Sequence, residues 1–134
     1  MVTLARVAEI ALALPGVEEA DRRGQRTWRL ADKTFAWERT FSKADIRRYG
    51  EEPVPGDPIV AIRVADLAEK EAVLAAGKAG FFTIPHFDGY AAILIELKQA
   101  RVADVKEALV DGWLVFASPE AAQEVVGKRR NGQR

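Results

Sequence analysis

Two five-residue segments, RTWRL (26–30) and TFAWE (34–38), alternate in polarity on either side of Ala31-Asp32-Lys33. A period of two marks a strand with one buried face, and so short a connection can only join antiparallel neighbours. The alternation puts Trp28 with Leu30 on one strand and Phe35 with Trp37 on the other. Whatever else this chain builds must cover that hairpin.

The remaining elements are read around it. Thr3 can cap a first helix, with Val2 and Val7 spaced as a hydrophobic staple and Leu4, Val7, Ala8, Ala11 and Leu14 on one face. Pro15-Gly16 ends it, and a short acidic connection leads to the hairpin. Residues 39–49 are polar and read as a further strand or a loop, and EEPVPGDP (51–58) as a loop. IVAIRV (59–64) is a strand with Val60, Ile62 and Val64 on one side. Asp66 and Glu69 resemble a capping box for a helix from about Leu67 to Ala76, stopped by Gly77. FFTI (81–84) and AAILIEL (91–97) read as strands joined by PHFDGY. A long helix follows from Val102 to Phe116, and Ser118-Pro119 starts a short last one. This order gives an α+β class: a single domain with a mainly antiparallel sheet and helices packed on one face.

A chain of 134 residues with 49% apolar content fits one domain with its own core. We expect the domain to occupy residues 1–127 and the basic stretch 128–134 to be a flexible tail. With no cysteine there is no disulfide, thiol nucleophile or thiolate metal site. Glu9 cuts the apolar stretch between Arg6 and Pro15 to five residues, Ile10 to Leu14, too short for a secretory signal. A cytoplasmic protein without a membrane span is expected.

The order and spacing of ALALPGVEEA (11–20), DKTFAW (32–37), FFTIPHFDGYAAILIEL (81–97) and ALVDGWLVFAS (108–118) resemble the MmcQ/YjbR family over nearly the whole chain. The resemblance implies a CyaY-like or double-wing α+β domain, and family members are commonly labelled DNA-binding. Two positions depart from it: Ala91 stands where a proline is expected, and Glu96 where relatives often carry a basic residue.

FFTIPHFDGY (81–90) contains the single histidine of the chain. His86 and Asp88 could form an oriented general base. The two serines, Ser42 and Ser118, lie outside any nucleophile-elbow context, and one histidine without a thiol argues against zinc. GKAG (77–80) lacks the spacing and ending of a P-loop, so no cofactor is expected. The leading reading is a structural corner. Pro85 ends a strand, Asp88-Gly89 forms a type I′ hairpin turn, His86 bonds locally and Asp88 caps backbone amides. The second reading is a small-ligand or protein-interaction pocket lined by His86, Phe87, Asp88 and Tyr90.

Twenty basic and twenty acidic residues cancel, but unevenly along the chain. Residues 22–48 hold nine basic side chains against three acidic, an excess of six; residues 49–124 hold six against thirteen. The candidates for contacting the DNA phosphate backbone are Arg22, Arg23, Arg26, Arg29 and Lys33 around the hairpin, with Arg47 and Arg48 beyond it. Six neutralised phosphates would give a log–log salt slope of about −5. The function expected is weak, salt-dependent DNA binding by a non-enzyme, with the aromatic pocket as the alternative.

Overall fold

The structure, a computed structural model, describes residues 1–132. Its six strands are β1 (Val17–Arg22), β2 (Gln25–Leu30), β3 (Lys33–Glu38), β4 (Ile59–Arg63), β5 (Phe81–Phe82) and β6 (Ala92–Glu96). They form one sheet in the order β1-β2-β3-β4-β6-β5, with every neighbouring pair antiparallel. The helices are α1 (Leu4–Leu12), α2 (Lys43–Arg48), α3 (Leu67–Ala75), α4 (Val102–Leu114) and α5 (Pro119–Gly132). The fold is the expected α+β domain.

The first helix starts where its cap predicts: Thr3 Oγ1 accepts from the Arg6 amide at 3.1 Å, and Val2 and Val7 are both buried. Asp66 accepts from the Glu69 amide at 2.8 Å to start α3, and Ser118 from the Ala121 amide at 3.2 Å at the head of α5. α5 runs to Gly132, where a short helix and a loose tail were expected; residues 133–134 of that tail lie outside the described residues.

One face of the sheet packs against α1 and α4. Val60 and Ile62 of β4, Ile93 and Ile95 of β6, Trp28 of β2 and Phe35 of β3 are all inaccessible to solvent there. Trp113 of α4 joins them, and its indole N–H donates to the Pro15 carbonyl at 3.0 Å, tying α4 to the end of α1. That bond lets an indole be buried without an unsatisfied donor. The second face carries its own smaller apolar layer of Ile59, Ala61, Ala92 and Leu94, capped by Ile84 and Phe87. Both faces of β4 and β6 are therefore covered, which is why their sequences read as continuous apolar runs.

Four sequence expectations need correction. The acidic connection VEEADR is itself a strand, β1, at the edge of the sheet. The polar stretch 39–49 is neither strand nor plain loop but contains α2, started by a capping box of Ser42 and Asp45. Phe35 and Trp37 do not share a face. Trp28 pairs with Ala36 and Arg29 with Thr34, so Phe35 is the extra residue of a β-bulge. The bulge lets Phe35 enter the helix-side core while Trp37 packs on the opposite layer.

The fourth correction concerns FFTIPHFDGY. β5 is two residues long, and Pro85–Phe87 form a 3₁₀ turn rather than part of a tight hairpin. Asp88 has φ −59° and ψ 130°, Gly89 has φ +76°, and the Tyr90 amide donates to the Phe87 carbonyl at 3.0 Å. These are the dihedrals of a type II turn, not type I′.

Candidate nucleic-acid interface

The β1–β2 connection is a two-residue turn. Arg22 pairs with Gln25, leaving Arg23 and Gly24 as its two central residues, with φ +56° and +82°. Positive φ at both is what a type I′ hairpin requires, and its twist matches that of the flanking strands. Asp21 secures it by accepting from the Gly24 amide at 2.9 Å. Arg22 and Arg23 are exposed at the tip, and neither makes a side-chain hydrogen bond or ion pair among the described residues.

The other candidates divide by register. Arg26 lies at the same end of β2, but its guanidinium is committed: it donates to both carboxylate oxygens of Glu19, at 3.0 and 2.8 Å, and lies over Trp28. The Arg26 hydrogen bond holds the Glu19 carboxyl below its ordinary value, against the opposing effect of burial. Glu19 also accepts from the Trp28 indole at 2.9 Å. Arg29 and Lys33 sit at the far end of β2, beside the β2–β3 turn. The hairpin's cations therefore do not form one patch.

α2 lies beyond the Arg26 end of β2, on the second face of the sheet, with Phe41 before it packed on Tyr49 and on Phe82 of β5. β3 finishes at that end of β2, since Glu38 Oε1 accepts from the Arg26 amide at 3.1 Å, and α2 follows at once. Arg39 ties α2 back: its Nη2 donates to Asp45 Oδ2 at 3.0 Å. Asp45, 3% exposed, also accepts from the Ser42 amide at 2.9 Å and from Arg48 at 3.4 Å. Burial pushes its pKa up, but the Ser42 bonds and the Arg39 charge outweigh it and hold the carboxyl below its usual value. Arg48 is thus half of an ion pair, whereas Lys43 and Arg47 are exposed and unpaired among the described residues.

The alternative pocket residues are separated by burial. Phe87, 4% exposed, is an anchor of the second-face layer. Tyr90, 41% exposed, leans on Trp37 and Phe87 with Arg63 over its outer ring face. His86 and Asp88 are exposed, and neither side chain makes a hydrogen bond among the described residues, so the expected His86 bond and Asp88 cap do not form. The corner is held instead by Lys70 of α3. This lysine is 7% exposed, and its ammonium donates to the carbonyls of Phe87 at 2.6 Å and Tyr90 at 2.8 Å, the two ends of the type II turn. Burial lowers its pKa, with the Asp88 charge acting in the other direction. Lys70 escaped the sequence reading. Its signal was a lysine at the head of an i, i+3, i+4 stripe completed by Val73 and Leu74.

Glu96, the second departure from the resemblance, serves a local structural purpose. Its carboxylate accepts from the Gly56 amide at 2.7 Å and pins the proline-rich loop. Among the described residues no group of three or more His, Cys, Asp or Glu side chains is placed to hold a metal ion, and no helix is long and apolar enough to cross a membrane.

Comparison with known proteins places the chain beside three mycobacterial sequences. It is 39% identical over 126 residues, 92% of this chain and 95% of each relative, to "Uncharacterized protein Rv2570" and "Uncharacterized protein MT2646" of Mycobacterium tuberculosis. The same figures hold for "Uncharacterized protein Mb2600" of Mycobacterium bovis. No family model and no solved structure matches the chain.

Proposed function

The chain belongs to the family of the mycobacterial proteins Rv2570, MT2646 and Mb2600, and because those names carry no activity, we propose its function from the geometry: binding to the phosphate backbone of duplex DNA. The module is cytoplasmic and non-catalytic. Its contact surface is the β1–β2 tip with Arg22 and Arg23, extended by Lys43 and Arg47 of α2.

The observation that carries this reading is Arg23. A non-glycine side chain in the left-handed region costs about 1–2 kcal/mol, and asparagine or glycine would form the same turn more cheaply. A strained position held by a long, exposed, unpaired cation at the outermost point of a hairpin is what an electrostatic contact needs. The resemblance of FFTIPHFDGYAAILIEL (81–97) and the other quoted segments to the MmcQ/YjbR family supports the same reading, since its members are commonly labelled DNA-binding.

Because Arg26 and Arg48 are already paired, this reading uses four cations, Arg22, Arg23, Lys43 and Arg47, unpaired among the described residues. At roughly −0.9 per phosphate the salt slope becomes about −3.6 rather than −5, with dissociation constants on the order of 10⁻⁴ to 10⁻⁶ M at physiological salt. A fluorescence-anisotropy titration of labelled duplex across a salt series measures both. Arg23→Gly should move two quantities in opposite directions: stability up by about 1 kcal/mol, and the salt slope flatter by about 0.9. No binding at low salt, or a slope unchanged in the variant, would overturn the proposal.

A further inference from the structure

The alternation of IVAIR (59–63) puts Arg63 on the same side of β4 as Ile59 and Ala61, at the last position of the strand. Register sets it at the opposite end of the sheet from the Arg22–Arg23 tip. Glu38, which marks the tip end of β3, pairs with Val60, whereas Arg63 pairs with Ala92 at the start of β6. Three contacts fix the side chain there. Its Nε donates to the Ala91 carbonyl at 3.1 Å, and its guanidinium carbon lies 5.3 Å from the Tyr90 ring centre and 5.4 Å from that of Phe116, just past α4.

Nε is only one of a guanidinium's N–H donors. Among the described residues the Nη groups of Arg63 meet no acceptor, and no carboxylate lies within ion-pair distance. Two other arginines lie over an aromatic ring, Arg26 over Trp28 and Arg39 over Phe87. Each of those is paired with a carboxylate, Glu19 at 2.8 Å and Asp45 at 3.0 Å. Arg63 repeats the arrangement without an acid from the chain.

A guanidinium whose Nη donors are free matches the two oxygens of a carboxylate, which it can hold bidentately. The ring contacts and the Ala91 bond already order this side chain, so a ligand does not bear the cost of immobilising it. The exposed Arg22 and Arg23 have no such support. Asp66, three residues on, and Asp88, two residues before Tyr90, are exposed acids that oppose a second negative charge more than a single one. We propose that Arg63 is the binding group for a small monocarboxylate, whose oxygens accept from the Nη donors while its body lies beside the exposed Tyr90. The site uses neither the hairpin tip nor α2, so it stands or falls independently of DNA binding.

The test titrates the full, ¹⁵N-labelled chain at neutral pH and fixed ionic strength with benzoate, its neutral isostere benzamide, and inorganic phosphate. Backbone amides and the Arg63 Nε–H signal are followed. Benzoate should saturate with a dissociation constant on the order of 1–10 mM, as expected of so small a ligand. The shifts should centre on Arg63, Tyr90, Ala91 and Phe116 and be absent from Arg22 and Arg23. Benzamide should bind about tenfold more weakly, because it lacks the charge that strengthens both hydrogen bonds, and phosphate should also bind more weakly than benzoate. Arg63→Lys keeps the charge but removes the fork, and should weaken benzoate about tenfold. Equal affinity for benzoate and benzamide, phosphate binding as tightly as benzoate, equal shifts at the tip arginines, or benzoate affinity unchanged in Arg63→Lys would overturn the proposal. All but the last of these are read on the parent chain, so the result does not depend on the variant folding.

Discussion

At Gly89 the backbone takes φ +76°, the left-handed value that the third position of a type II turn requires. Nothing lies within 4 Å of the position a Cβ would occupy, so a substitution there meets backbone strain and no clash. Gly89→Val should therefore cost about 1–3 kcal/mol. His86, exposed and without a side-chain hydrogen bond among the described residues, should tolerate His86→Gln within about 0.5 kcal/mol. Urea denaturation of the two variants beside the parent gives the ordering; a more damaging His86 change would mean that the imidazole has a structural or binding role. The need for glycine at this corner was legible in the dipeptide Asp88-Gly89. The turn type was not, because it depends on a lysine 20 residues upstream of Tyr90 reaching across to hold both carbonyls. A contact of that separation leaves no local periodicity to read.

The short helix α2 shows how much of an element can hang on one side chain. Its six residues are too few for a stable helix from propensity alone, and Asp45 accounts for its capping box and for its tether to Arg39. Asp45→Ala leaves the Ser42 amide and Arg39 without their acceptor, and should cost about 1–3 kcal/mol at neutral pH. The pH dependence has a definite sign. The folded chain holds the Asp45 carboxyl below its ordinary value of 3.8, so the unfolded chain takes up the proton first on acidification. The stabilisation is fully present above about pH 5 and is lost as pH falls below 3.8 through the lower folded value. Denaturation midpoints of parent and variant should converge over that acid range; parallel curves down to about pH 2 would show that Asp45 is not the group responsible. Elements with a strong cap or a strong period, such as α1, β4 and α4, were legible in the sequence. β1 was hidden by its acids, α2 by its brevity, and the facing of β3 by a bulge that breaks the alternation midway.

For the molecule as a whole, the seating of α4 on the sheet sets the core. Gly112 is the point of closest approach. A Cβ there would come within 2.7 Å of Ile62 Cγ2 and 3.1 Å of the Arg63 carbonyl. Alanine favours a helix over glycine by about 1 kcal/mol, but overpacking costs about 1–3 kcal/mol. Gly112→Ala should therefore destabilise on balance, by about 1 kcal/mol. The same change at Gly127 of α5 meets nothing within 4 Å and should stabilise by up to about 1 kcal/mol. Thermal melts of the two variants test the opposite signs. A neutral Gly127→Ala would mean that α5 adds nothing to the cooperative unit there, as the tail expected from the sequence would behave.

The sheet has two margins, and they differ in kind. β5 pairs with β6 through only two residues, Phe81 and Phe82, so it offers a passing chain too short a row of free backbone groups to grip. β1 offers six residues, but three of them are Glu18, Glu19 and Asp21. Two copies brought margin to margin would set carboxylate against carboxylate before any backbone bond could form. The acids that disguised β1 as a loop thus also work against one copy's margin pairing with another's.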